Sequence, residues 1–586
     1  MKRFLAVLIF LAVLVVIMAV SACGTADEPA TPAPSPVVGA DAHDADAPAD
    51  AVVADLHGDP RLAAHGLDAN LRFHETQNIS IVIWDRGHER MPEMSDNGWT
   101  DWLREQLLLY HNINPEFVVV PRWDQGPFTT TLIGAGAAPD VTFHFGGRSL
   151  TNTFAGMGAL LDLVPLLEAY GDILPNMYNW LDDLVYYDMD LTTGQMFAIP
   201  SRRTEIMRHN TFIREDWLNT LGLGVPTTLQ EFEDALVAFR DNAELLLGED
   251  AHMMVPKALG EDVGAWILPV IDSFIPDAIT EREWFVHDFD FFRFMMPGVK
   301  EATRVLNRWF DMGLLFQEFA YGEAGALVGD LIRLGVVGSY NSNWDMPFRA
   351  GGDMHIVSMR EHRGPDANFI AIAPFQNDAG NVVMYSHPAA DRRIVLPHTN
   401  RNPVASLLVI DFYSRQSTRD FLAFGEEGVH HVVEPDGAIR ILPSDEWPDN
   451  MVFAAINNFD IQFVSNGFDL GDPERTIATL ALAYPGIEAS AVKAARTLNL
   501  DVARTARSIS VRPIEAEEGM TSPLADFRNS VWTNAIVAAP DQFDSVWDSM
   551  FAQFLAMGAQ AIMDERDQAW VETFGEVDFM PGWEGW

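Results

Sequence analysis

Apolar and polar positions along this chain follow both the strand and the helix period. Ile79-Ser80-Ile81-Val82-Ile83-Trp84 is a short β-branched run that reads as a strand, as do Phe117-Val118-Val119-Val120 and Val141-Thr142-Phe143-His144-Phe145. Between the first two, Trp99, Trp102, Leu103, Leu107 and Tyr110 share one face of a helix predicted over about residues 98–110. Thr228 and Glu231 have capping-box spacing, and Phe232, Ala235, Leu236 and Phe239 continue as a helical stripe. Pro297-Gly298 opens another helix with Ala302, Val305, Leu306, Trp309 and Phe310 on one face and Gly313 as its stop. Leu334 to Gly338 is a buried-strand candidate. Strands alternating with helices predict an α/β fold with a largely parallel sheet.

The chain's longest apolar run stands at its start. Lys2 and Arg3 precede 17 unbroken apolar residues, Phe4 to Val20, and then comes Val20-Ser21-Ala22-Cys23-Gly24 with the one cysteine. A basic start, an apolar core and small residues before a cut are the layout of an export signal. The small residues directly before Cys23 resemble the lipobox of bacterial lipoproteins, which implies cleavage after residue 22 and lipidation of Cys23. The alternative is an uncleaved anchor, since a bilayer span takes about 17–25 residues; a plain anchor has no need of a cysteine there. With Cys23 committed to lipid, no disulfide forms. Residues 23–75 are rich in Ala, Pro and Asp and read as a disordered tether. His43, His57 and His65 read as solvated parts of it rather than as loose metal ligands.

Composition narrows the function classes. The chain has 586 residues, 48% of them hydrophobic, enough for two or more cored domains. Its formal net charge of -46 repels phosphate backbones and argues against nucleic-acid binding. Walker, HExxH, G-x-S-x-G and CxxC motifs are absent from the sequence. A secreted glycosidase needs only two flanking carboxylates, and 84 acidic residues supply such pairs by chance without a motif to single one out. A surface lipoprotein that binds another protein is the third class.

Six segments in order resemble the extracellular solute-binding proteins (family 1) of ABC importers, in their large oligosaccharide-binding-like branch. They are Gly134 to Val141, Gly158 to Leu163, Phe197-Ala198-Ile199-Pro200, Phe212 to Leu223 with Pro226-Thr227-Thr228, Pro297 to Ala302, and Gly425 to His430. The resemblance spans roughly residues 79–440. It implies a two-lobed periplasmic-binding-protein-like α/β fold, with hinge crossings and a ligand cleft between the lobes. Residues 76–200 and 392–430 would form lobe 1, and 201–391 and 431–586 lobe 2. It also implies a small-molecule solute, most readily an oligosaccharide, membrane permease subunits as partners, an extracytoplasmic place on the cell membrane through the lipid, and no chemistry on the ligand. No cofactor is implied. Several relatives carry a calcium loop after the segment matching Phe239-Arg240-Asp241-Asn242; here Ala243 to Gly248 lacks its alternating oxygens, so no metal site is carried over. Asp188-Met189-Asp190 fails likewise, because Thr193 stands at the turn glycine and Ile199 at the terminal Glu.

Ligands of α/β lobes meet loops at the carboxyl ends of strands. Trp84, Asp85 and Arg86 end the first strand and are ligand candidates, with Trp84 as a stacking face or else a cap on the core. His144, ending the third strand, reads as structural. Arg202, Arg203 and Glu205 follow the first crossing, and an inter-lobe ion pair is the alternative there. Trp266 is the lobe-2 aromatic with reach to a cleft, or else core. Tyr340, Asn343 and Trp344 fall in one segment read as a loop after the strand at 334–338, with a turn stabilised by its Asn and Asp side chains as the alternative.

Overall fold

The computed structural model describes residues 56–580 apart from 88–92, 206–208, 261–262, 290–291, 322–323, 350–354, 378, 383, 387–388, 444–446, 448–450, 452–459, 485, 499, 501–502, 506–508 and 510. The signal segment and Cys23 lie outside the described residues. In chain order the strands are β1 (Gln77–Asp85), β2 (Ile113–Pro121), β3 (Thr142–His144), β4 (Ile199–Arg203), β5 (His209–Arg214), β6 (Val255–Lys257) and β7 (Val337–Asn343). They continue with β8 (Phe369–Ile372), β9 (Met384–Ser386), β10 (Ala390–Val395), β11 (His431–Val433), β12 (Ile439–Ile441), β13 (Ser465–Asn466) and β14 (Ala503–Thr505).

The predicted α/β alternation is realised, but the two four-stranded sheets are mixed rather than largely parallel, because β10 and β5 each pair antiparallel with both neighbours. β1 pairs parallel with β2 from Gln77↔Ile113 to Asp85↔Pro121. The helix between them, Gly98–His111, starts on an Asn97–Thr100 capping box and ends on Asn112 in the left-handed region. A parallel bridge Ile81↔Val141 joins β1 to β3, and β3 continues into the sheet ordered β13-β4-β10-β3. The second sheet is ordered β6-β7-β5-β8, with β6 parallel to β7 and β5 antiparallel to both β7 and β8.

Two large apolar cores follow from these sheets among the described residues. The first gathers Ile81, Ile83 and Trp84 of β1, Leu103 and Leu107 of the helix, Phe143, and Leu407 to Tyr413 of a buried helix Pro403–Ser414. The second gathers Phe212, Trp217, Phe232, Phe239, Trp309 and Tyr340 with Trp532, Trp547 and Phe554 of the C-terminal helices. The Thr228–Glu231 capping box and the buried face Phe232, Ala235, Leu236 and Phe239 form as predicted. Gly298 caps the helix Val299–Asp311 at φ +91°, and a side chain there would collide with the Phe274 carbonyl.

Two boundaries differ from the sequence reading. Residues 56–75, assigned to the tether, are packed: Leu62, Leu67, Leu71 and Phe73 enter the first core, and Phe73 N–H donates to the His111 carbonyl at 3.0 Å. Sparse leucines lacking any period hid this in an Ala/Pro/Asp-rich stretch. Likewise Trp447, Met451, Ile461, Phe463 and Val464 pack into the first core, although 431–586 was assigned to the second lobe. The chain then runs from β13, beside β4 of the first sheet, to the helix Pro473–Leu482, whose Leu480 and Ala481 join the second core. Among the described residues, no helix is long and apolar enough to cross a membrane.

Candidate functional site

β1, β2 and β3 point the same way, so their carboxyl ends share one edge. Trp84 sits there fully buried, its ring 4.4 Å from Phe143 and 4.6 Å from Phe145. The guanidinium carbons of Arg392 and Arg122 lie 5.1 and 5.3 Å from the Trp84 ring. Trp84 is therefore a floor under cations, not an exposed stacking face; the capping alternative holds. Asp85 accepts the Gly87 N–H at 2.8 Å and turns the chain. Arg86 Nε donates to Asp460, whose other oxygen accepts from Arg122 Nη1 at 2.5 Å. Beside this pair Trp123 is 75% and Phe145 36% exposed, with the Arg122 guanidinium 5.4 and 5.0 Å from their rings.

The crossing strands add a second polar group to the same edge. β10 is antiparallel to β3 and β4, which sets Asp391 and Arg392 beside the ends of both. Asp391 accepts from Arg203 of β4 at 2.7 Å and from Asn466 of β13 at 2.6 Å, so one carboxylate ties three adjacent strands. Burial works to raise its pKa, but Arg203, Arg392 and Asn466 outweigh this and hold it below the ordinary carboxylate value. Burial lowers Arg392 to about 10, against the pull of Asp391 and Asp460. Arg202 turns elsewhere: its Nε and Nη2 donate to the Trp180 and Leu181 carbonyls, each at 2.7 Å, at the end of the helix Pro175–Leu181.

On the second-core side, Glu205 is hydrogen-bonded by Trp344, and its pKa is raised by burial and by Asp345, against Arg496 and Arg203. Trp344 itself is 2% exposed, edge-on to Tyr484, with Arg496 over its ring at 5.7 Å. Tyr340 is likewise core, its hydroxyl 3.0 Å from His355 Nδ1 and its ring packed on Phe212 and Phe369. Both were expected in a ligand loop. They are buried because the strand predicted at 334–338 runs instead over Val337–Asn343 and carries Tyr340 in its middle. Asn343, half-buried, ends that strand opposite His209. Trp266 is half-buried, 6.5 Å from Tyr340, and its carbonyl accepts from the buried Lys257 Nζ at 3.4 Å.

The structure thus groups Asp85 and Arg86 at one edge and places Glu205 on Trp344. It assigns Trp84, Tyr340 and Trp344 to the cores. Sequence reasoning missed Arg122 and Trp123, although both directly follow a predicted strand and the strand-end rule reaches them. Asp391, Arg392 and Asp460 arrive through the crossings and carry no local signal. His144 is fully buried and accepts the Gly146 N–H at 3.1 Å; burial lowers it to about 3, as a structural residue. Asp188 is occupied by Arg393 at 2.5 Å and by Arg148 at 3.4 Å.

No family model matches the sequence. Lipoprotein LipO of Bacillus subtilis is 28% identical over 167 residues, which cover 28% of this chain and 31% of that protein. The match thus spans about a third of the curated relative's length. Among solved structures, the alginate-binding protein AlgQ2 has a TM-score of 0.58 at 16% identity, covering 86% of this chain and 99% of that one. A solute-binding protein from Bifidobacterium longum infantis, described as binding HMO and associated with an ABC transporter, has a TM-score of 0.57 at 14% identity, covering 85% and 99%. The substrate-binding protein FusA of S. pneumoniae, in complex with kestose, has a TM-score of 0.59 at 12% identity with the same coverage. The chain has the fold of ABC-transporter solute-binding proteins. That fold is α/β, as the alternation of strands and helices predicts, and it accounts for two cores joined by crossing strands.

Proposed function

We propose that this protein is a lipid-anchored, extracytoplasmic member of the family 1 solute-binding proteins, capturing an oligosaccharide by hinge closure and passing it to the membrane subunits of an ABC importer. The observation that carries this is the crossing itself. Three strands belonging to one sheet, β4, β10 and β13, sit side by side where the chain passes between two separate cores, tied by Asp391. Such a junction permits lobe rotation while the cores stay intact, and ligand contacts from both lobes then favour the closed form. The exposed Trp123 and Phe145 beside Arg122 supply apolar faces and donors of the kind that sugars engage. The lipobox-like segment ending in Cys23 supports the anchor, as does the likeness to a lipoprotein. The role is capture rather than catalysis.

The test is a denaturation screen against oligosaccharides, peptides and nucleosides, with chromatography of the solute afterwards. An oligosaccharide at a hundred times its dissociation constant should add about 2.7 kcal/mol to stability and be recovered unchanged. Stabilisation by a peptide or nucleoside alone, or recovery of a cleaved sugar, would overturn the reading.

A further inference from the structure

Resting on the oligosaccharide reading above, we propose that Lys257 and Asn341, towards the carboxyl ends of β6 and β7, form a solute contact on the second sheet and take a neutral sugar hydroxyl. β6 runs parallel to β7 with Lys257 opposite Ser339. Asn341 comes two residues further along, so the side chains of Lys257 and Asn341 leave the same face of the sheet. Both reach the first turn of the helix Val263–Asp272, which follows β6. Asn341 Nδ2 donates to the Ala265 carbonyl at 2.5 Å, and Lys257 Nζ to the Trp266 carbonyl at 3.4 Å. The carboxyl ends of parallel strands, with the helix start after them, are where α/β lobes meet their ligands.

The helix accounts for half of this arrangement. Pro269 lies inside it and brings no N–H, so the Ala265 carbonyl four residues back has no backbone donor. The Asn341 amide nitrogen supplies one. The other half has no such account. Asn341 Oδ1 is buried and has no hydrogen-bond partner among the described residues. Lys257 is 2% exposed, and its ammonium has one long hydrogen bond there. Burial lowers its pKa to about 7 with no neighbouring carboxylate to oppose the shift. A buried ammonium without a counter-charge is strongly unfavourable, and so is a buried acceptor without a donor. An apolar side chain would fill the space of Lys257 without that penalty. Departures of this kind from the stable choice are characteristic of functional sites.

One unused donor beside one unused acceptor selects the ligand group. A hydroxyl accepts from Lys257 Nζ through its oxygen and donates its own proton to Asn341 Oδ1. A carboxylate would answer the ammonium but has no proton for Asn341 Oδ1, and would set oxygen against oxygen. An apolar group would satisfy neither. The flexible stem of Lys257 lets the ammonium exchange its long bond to the Trp266 carbonyl for a solute oxygen. Ala265 and Trp266, which the two side chains reach, are themselves half-buried, so the pair stands close beneath the surface.

Calorimetry on the full-length chain tests this with neutral fructo-, malto- and xylo-oligosaccharides and with acidic galacturonate oligomers. A neutral sugar should bind the wild type most tightly, and Lys257→Met should bind it at least about tenfold more weakly. The same variant should unfold at higher urea than the wild type at about pH 6.5. Stability and affinity then move in opposite directions, which a merely structural lysine would not produce. Asn341→Val, which removes the acceptor, is the second variant should the first fail to fold, and it should weaken binding likewise. Wild-type affinity in the variant, as a site filled by water alone would give, overturns this inference and leaves the transport reading standing. Binding of the galacturonate oligomers alone does the same. Absence of binding by every sugar, neutral or acidic, overturns both.

Discussion

Lys257 shows how a single residue here departs from its usual behaviour. It ends β6, is 2% exposed, and its ammonium reaches only the Trp266 carbonyl among the described residues. Burial lowers its pKa to about 7. Below that pH the folded and unfolded chains both hold the proton. Between about 7 and the ordinary lysine value of about 10.4, the unfolded chain holds a proton that the folded one has released. Stability should therefore rise with pH across this window. Lys257→Met keeps the stem and removes the charge, so it should be more stable than the wild type at about pH 6.5, with the gap closing towards about pH 10. Urea unfolding of both chains at several pH values checks this; a gap that stays constant would mean that Lys257 does not titrate there.

At the scale of elements, the N-terminal strap carries the clearest consequence. Leu56, Leu62, Leu67, Leu71 and Phe73 are each at most 8% exposed. Arg61 Nη1 reaches the Ala169 carbonyl at 2.6 Å, and His111 Nδ1 lies 2.8 Å from the Leu71 carbonyl. Each buried apolar side chain contributes about 1.5–3 kcal/mol. A chain beginning at residue 76 should thus be less stable than one beginning at 56 by more than about 5 kcal/mol. Equal urea midpoints for the two would show that the strap is only laid on the surface. The strap also marks the limit of what was legible. Where one period dominates, as in β1, in the helix Gly98–His111 and in the Thr228 capping box, sequence placed the element closely, because one buried face imposes that period. The strap uses isolated leucines in turns, which have no period. β7 failed for a different reason: Ser339, Asn341 and Ser342 look like loop residues, yet Ser339 Oγ donates to the Phe212 carbonyl and Asn341 Nδ2 to the Ala265 carbonyl, so polar side chains are paid for inside a central strand. Ligand candidates taken from that segment were misplaced with it, whereas Asp85 and Arg86, read from a correctly placed strand end, lie at the candidate edge.

The whole molecule adds a field that no residue or element shows. With 84 acidic against 38 basic residues, the folded surface repels itself, and compaction brings those charges closer than in the open chain. The Debye length falls from about 30 Å at about 0.01 M salt to about 3 Å at 1 M, so potassium chloride should raise the unfolding midpoint over that range by relieving self-repulsion. Chloride is the proper choice, because sulfate strengthens burial by exclusion and would raise the midpoint regardless of charge. A midpoint that falls with potassium chloride would show that the 38 cations sit in ion pairs whose loss outweighs the repulsion among the remaining carboxylates. A rising midpoint would show that the acidity acts as self-repulsion spread over the whole surface.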